Sequence, residues 1–204
     1  MDPPKPPIPN DRELAVLGAA VLARRRANDI AKLQAEGCFD PQKRLRFLRP
    51  PEQVAVLFES AGPNRTVLTD ALADHLIPLS VLERVPPPDQ DKVGWLIETL
   101  QTSDRHRFDL IVLATSGADP AAVRLFNDER FLEPITEGSI PVWTAFDHTG
   151  EITLAEHAAQ CRFKRLADVG NELLRLHVPH RHRAAELARA RRTARWRGIA
   201  ELEV

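Results

Sequence analysis

The chain has 204 residues, 43% of them hydrophobic, enough for one domain of ordinary size with extensions. Aromatic residues make up only 5% and Tyr is absent, so aliphatic side chains must fill the core. The two cysteines, Cys38 and Cys161, exclude a disulfide framework, and no apolar run approaches the roughly 20 residues of a membrane span.

The formal net charge of −1 hides an uneven distribution. Residues 1–53 carry ten Lys/Arg against seven Asp/Glu; residues 54–150 carry seven against fifteen; residues 151–204 carry eleven against seven. An acidic middle is thus flanked by basic arms, which suit an anionic partner or the acidic middle of another copy. The absence of a CxxC pair and of a basic-then-apolar leader in Met1–Pro9 sets the expectation of a reducing, cytoplasmic location.

Residues 1–10 hold five prolines and are expected as an extended tail, because proline fixes φ and supplies no amide donor. Over residues 12–35, Leu14, Leu17, Val21, Ile30 and Leu33 recur at helical spacing, which predicts one amphipathic helix closed by Gly37. Pro41, Pro50 and Pro51 then bracket a linker with Lys43, Arg44, Arg46 and Arg49.

Val54–Phe58 is a short unbroken apolar run of the kind that forms a strand covered on both faces. Loop chemistry follows at Glu59–Asn64, then a helix to about Leu76 for which Asn64 is the expected cap. Ile77–Val85 reads as a second strand, placed at its start or at a sheet edge by Pro78. A helix is expected over 89–103, a fully buried strand over Asp109–Thr115 and a helix from Asp119-Pro120 to about Leu132. Ile140–Phe146 is expected as a fourth strand beside the turn Asp147–Gly150. Thr153 and Glu156 have capping-box spacing and predict a long helix to about His177, with a last helix over 181–197.

This β-α-β-α-β-α-β order implies right-handed crossovers and a mainly parallel sheet with helices on both faces. The architecture resembles the flavodoxin, receiver and TIR group of small doubly wound sheets. The expected organisation is a Pro-rich tail over 1–10, a helix and basic linker over 11–53, the α/β domain over 54–152 and a basic helical arm over 153–204. The two apolar strands, Val54–Phe58 and Asp109–Thr115, are expected side by side at the sheet centre.

Ligands of open parallel sheets sit beyond the strand carboxyl ends, which selects the loops holding Ser60, Asn64 and Arg65, Thr115 and Ser116, and Asp147 and His148. These residues offer hydroxyls, a carboxylate, an Arg and a His for phosphate binding or acid–base work. The same residue types also serve turns and caps, and no phosphate-loop, dinucleotide, nucleophile-elbow or zinc-helix motif is present. No catalytic residue, cofactor or metal site is assigned. His177, His180 and His182 have an HxxHxH spacing, but Arg181 and Arg183 between them oppose a cation, so a basic turn is expected.

The arm is the most distinctive stretch. From Arg175 to Arg197 it holds eight Arg and one acidic residue, with Arg189, Arg191, Arg192, Arg195 and Arg197 gathered around Trp196. Arginine forks fit phosphates and carboxylates, and Trp supplies a stacking or docking anchor. The leading expectation is therefore a non-catalytic assembly subunit docking through its basic arms onto a protein partner or another copy of itself. The alternatives are an enzyme acting on a nucleotide or other phosphorylated small molecule at the strand ends, and a nucleic-acid-binding protein using the Arg-rich arm.

Overall fold

In the computed structural model the described residues are 11–73, 75, 77–102, 107–117, 119–147, 150 and 152–179. They fall into two units, one ending at Phe39 and one beginning at Asp40. The Pro-rich tail and the arm residues Arg189, Arg191, Arg192, Arg195, Trp196 and Arg197 lie outside the described residues, as does the helix expected over 181–197.

The first unit is the helix α1, Asp11–Ala35, close to its expected span. It ends as its sequence dictates. Gly37 takes φ 74°, and the amide of Cys38 reaches back to the carbonyl of Leu33 at 3.0 Å while that of Gly37 bonds Gln34 at 3.1 Å. A left-handed residue closing these bonds is cheapest as glycine. The expected amphipathic stripe is weak: Val21 is 66% exposed, and Ile30 and Leu33 are half-buried.

The second unit is built on five parallel strands: β1 Gln53–Phe58, β2 Ser80–Arg84, β3 Leu110–Ala114, β4 Val142–Ala145 and β5 Cys161–Phe163. Their spatial order is β2-β1-β3-β4-β5. β1 and β3 are adjacent and parallel at its centre, with Val56 opposite Val112. Residues of both parities along these strands are buried, Val54, Val56 and Phe58 as fully as Ala55 and Leu57. Both faces must therefore be covered, and the unbroken apolar runs are the sequence trace of that. At roughly 1.5–3 kcal/mol for each large side chain, these two strands carry much of the burial energy of the unit.

The helices are α2 Asp40–Arg44, α3 Val67–Leu72, α4 Lys92–Thr102, α5 Pro120–Leu125, α6 Leu132–Thr136, α7 Leu154–Ala158 and α8 over 166–179. Leaving β1, the chain moves one way to β2, then crosses back through α4 to β3 and onward to β4 and β5. Right-handed crossovers therefore put α3 on one face and α4 to α7 on the other. On the α3 face, Leu68 and Leu72 pack with Leu166, Val169 and Leu173 of α8 against Val56, Val112 and Trp143.

Three expectations change. The helix expected from Asp119-Pro120 to about Leu132 ends at Leu125, because Asp128 opens a new turn by accepting from the Arg130 amide, and α6 begins only at Leu132. Residues 153–177 do not form one helix. The capping box at Thr153 and Glu156 is present, with both reciprocal hydrogen bonds, but α7 ends at Ala158 and β5 intervenes before α8. Gln160 supplies the reason: its amide joins Val142 at 2.8 Å and sets the chain in register beside β4. Asn64 also does not cap the helix after β1. The residue at the α3 cap is Thr66, without a side-chain bond, and Asn64 turns instead toward β3.

Candidate functional site

The strand order reverses between β1 and β3, since the chain leaves β1 for α3 on one face and leaves β3 for α5 on the other. In sheets of this kind the two diverging loops open a crevice at the carboxyl ends. Here the loops are joined by one carboxylate. Glu59, 2% exposed, accepts from the Ser116 amide at 3.0 and 3.2 Å, from Ser116 Oγ at 2.5 Å and from Ser60 Oγ at 3.1 Å. The two serine hydroxyls lie 2.8 Å apart. A buried carboxylate needs such a shell of donors, because its desolvation is otherwise prohibitive.

The rest of the crevice is tied in the same way. Asn64 donates from its amide to Ser116 O at 3.2 Å and from Nδ2 to Thr115 O at 3.1 Å. The Asp147 amide donates to Thr115 Oγ1 at 3.3 Å, bringing the loop after β4 into the cluster. Gly62 passes so close that a Cβ there would sit 2.5 Å from Ser116 O, so only glycine allows the approach. Asp119 caps α5 by accepting from the Ala121 amide at 2.8 Å.

Ser60, Asn64, Thr115, Ser116 and Asp147 are thus brought together, as the strand-end rule expects, but mostly to bond one another. Thr115 and Ser116 are buried, and the Asp147 side chain faces solvent. The Arg65 side chain and His148 lie outside what is described. His177, 3% exposed, is held within hydrogen-bond distance of Pro51 O at 2.9 Å; His180 and His182 lie outside the described residues.

Sequence reasoning did not find Gln42. In an otherwise basic linker it is fully buried, donating from Nε2 to the carbonyls of Ile135, Gly138 and Ile140 at 2.7, 3.2 and 3.1 Å and accepting from the Val142 amide at 2.9 Å. A lone glutamine carries no periodic or motif signal. It attaches the linker to the amino end of β4 and so makes residues 40–49 part of the α/β unit.

The linker meets other amino-end residues. Arg49 pairs with Glu52 and Asp109 at 3.9 and 3.6 Å. Gln160 Nε2 donates to Leu45 O at 2.8 Å, and Gln160 Oε1 accepts from Trp143 Nε1 at 2.6 Å. Segments far apart in sequence, 43–49 and α8, therefore converge at the end of the sheet opposite the crevice.

Among the described residues no helix is long and apolar enough to cross a membrane, and no three His, Cys, Asp or Glu side chains gather as metal ligands. No protein-family model matches the chain. The exodeoxyribonuclease 7 large subunit of Tolumonas auensis is 28% identical over 135 residues, 65% of this chain and 30% of that protein. That of Rhodopirellula baltica is 29% identical over 153 residues, 71% of this chain and 33% of the relative. The chain is therefore similar, over about a third of their length, to the large subunits of exodeoxyribonuclease 7.

Proposed function

We propose that this chain is a DNA-binding module belonging to a DNA-processing assembly. The observation that carries the reading is its similarity to exodeoxyribonuclease 7 large subunits across most of its own length. That similarity favours the nucleic-acid reading over the assembly-subunit reading, while leaving room for association with a further chain, since the relatives are called large subunits. The reading is limited to binding because the strand-end hydroxyls and Glu59 are engaged in holding loops together. Exposed cations that an anionic ligand could meet lie on the linker, at Lys43 and Arg46.

The test is an anisotropy titration of the full chain with fluorescein-labelled single-stranded and duplex DNA over a series of salt concentrations. Sequence-independent binding is expected with a dissociation constant of roughly 10⁻⁴–10⁻⁶ M at physiological salt, and the affinity should fall log-linearly as salt rises. No anisotropy change with either DNA, even at low salt, would reject the reading.

A further inference from the structure

The segment after α2 runs beneath the edge of the sheet and leaves a groove between itself, β5 and α8. Phe47 stands edge-on to Trp143, centroids 5.7 Å apart at 82°. Trp143 is 2% exposed and backs the groove, and the half-buried Phe47 lines it. Cys161 and Leu176 line it from β5 and α8, and the open groove holds about 210 Å³. Sites that enclose a whole small molecule run to roughly 300–1,000 Å³, so this space suits one ring system of a longer ligand.

The rim is cationic. Lys43 and Arg46 line the groove, both exposed, and among the described residues neither is paired with a carboxylate. Arg46 Nη1 donates to Lys43 O and Leu45 O at 2.5 and 2.8 Å, which fixes the guanidinium at the rim. The neighbouring Arg44 and Arg49 are held by Asp40 and by Glu52 and Asp109. One carboxylate lines the groove, Glu172, and Arg175 neutralises it through bonds of 2.6 and 2.7 Å that hold its carboxyl below the usual range.

We infer that this groove binds single-stranded DNA, taking one unstacked base against Phe47 with the flanking phosphates on Lys43 and Arg46. The inference rests on the DNA-binding reading above and assigns it to the amino end of the sheet. Charge complementarity selects an anion, and the aromatic wall selects one that carries planar rings. Only an unpaired strand presents base faces to an aromatic side chain. Arg supplies a fork that a phosphate accepts from two directions.

The experiment compares the full wild-type chain with Lys43→Glu/Arg46→Glu, Lys43→Glu and Phe47→Ala, titrating a fluorescein-labelled oligothymidylate and the matching duplex. The double charge reversal is expected to weaken single-strand binding at least about tenfold at low salt. It should also flatten the log–log salt slope by about 1.4, at roughly 0.7 for each of two phosphates. Phe47→Ala is expected to weaken binding about fivefold or more without changing that slope, because stacking is not an ionic term. Among the described residues Lys43 makes no side-chain bond that the fold uses, so its single variant, with thermal melting as a control, guards against a folding defect. A second readout is the alkylation rate of Cys161 by peptide mapping, with Cys38 as reference. Burial and the nearby Glu172 push the Cys161 thiol up, so the assay is run above neutral pH. Bound oligonucleotide should slow Cys161 selectively. Unchanged affinity in the folded variants together with an unprotected Cys161 overturns the groove while leaving the DNA-binding reading intact. Preference for duplex, or equal competition by an acidic peptide, overturns the base-binding assignment. A wild-type chain that binds no DNA overturns both.

Discussion

The two ends of the parallel sheet are built on opposite principles. At the carboxyl end, three loops bring together two serines, a threonine, an asparagine and a buried glutamate, and these bond mainly to one another. At the amino end, one buried glutamine anchors a basic linker whose cations stay exposed beside an aromatic-walled groove. The lesson concerns the strand-end rule. It locates where loops from different strands converge, and here the polar groups gathered there bond mainly to one another. Polar residues closed into a network stiffen a crevice. Cations left unmatched on a surface retain their attraction for an anion.

The largest effect should come from the layer common to both ends. Val112 is fully buried in β3 between β1 and β4. Val112→Asp places an unpaired charge there at a cost of several kcal/mol, against a total stability of about 5–15 kcal/mol. We expect no cooperative melting transition by circular dichroism; a soluble variant that melts cooperatively would remove β3 from the centre.

Gln42→Ala tests the amino end. It leaves the Val142 amide and three carbonyls without their side-chain partner, and we expect a loss of about 2–4 kcal/mol in chemical denaturation. The linker should then be cut earlier in limited proteolysis than the sheet. If linker and sheet open together, the glutamine is not what joins them.

Glu59→Ala is the corresponding test at the carboxyl end. It removes the acceptor of three donors, but the Ser60 and Ser116 hydroxyls lie 2.8 Å apart, so one can then donate to the other. We therefore expect a smaller loss, about 1–3 kcal/mol, together with unchanged DNA affinity. A fall in affinity in a folded Glu59→Ala protein would move the binding surface back to the crevice and break the comparison.

The smallest effect belongs to one of two glycines in the same crevice. A Cβ on Gly62 collides with the Ser116 carbonyl, whereas one on Gly117 meets nothing within 4 Å. Gly62→Ala should cost about 1–3 kcal/mol, and Gly117→Ala should stay within about 0.5 kcal/mol of wild type. Equal midpoints for the two variants would mean that the loops after β1 and β3 are not in contact.

The sequence by itself determined the elements whose information is local. Val54–Phe58 and Leu110–Ala114 are legible as central strands because burial on both faces needs an unbroken apolar run. The caps at Asp119 and Thr153 and the closure at Gly37 are legible because each meets the needs of a helix end a few residues away. The convergence of Ser60, Asn64, Thr115 and Ser116 also followed, from the rule that loops beyond the carboxyl ends of parallel strands meet there. What only the tertiary structure decided is where polar groups find partners far along the chain. Gln42 bonds residues more than ninety positions away, Gln160 leads into an edge strand where the middle of a helix is expected, and Asn64 serves β3 rather than α3. Hydrogen bonds are short-ranged and indifferent to sequence separation, so a single polar side chain leaves no periodic trace of the partner that folding will bring to it.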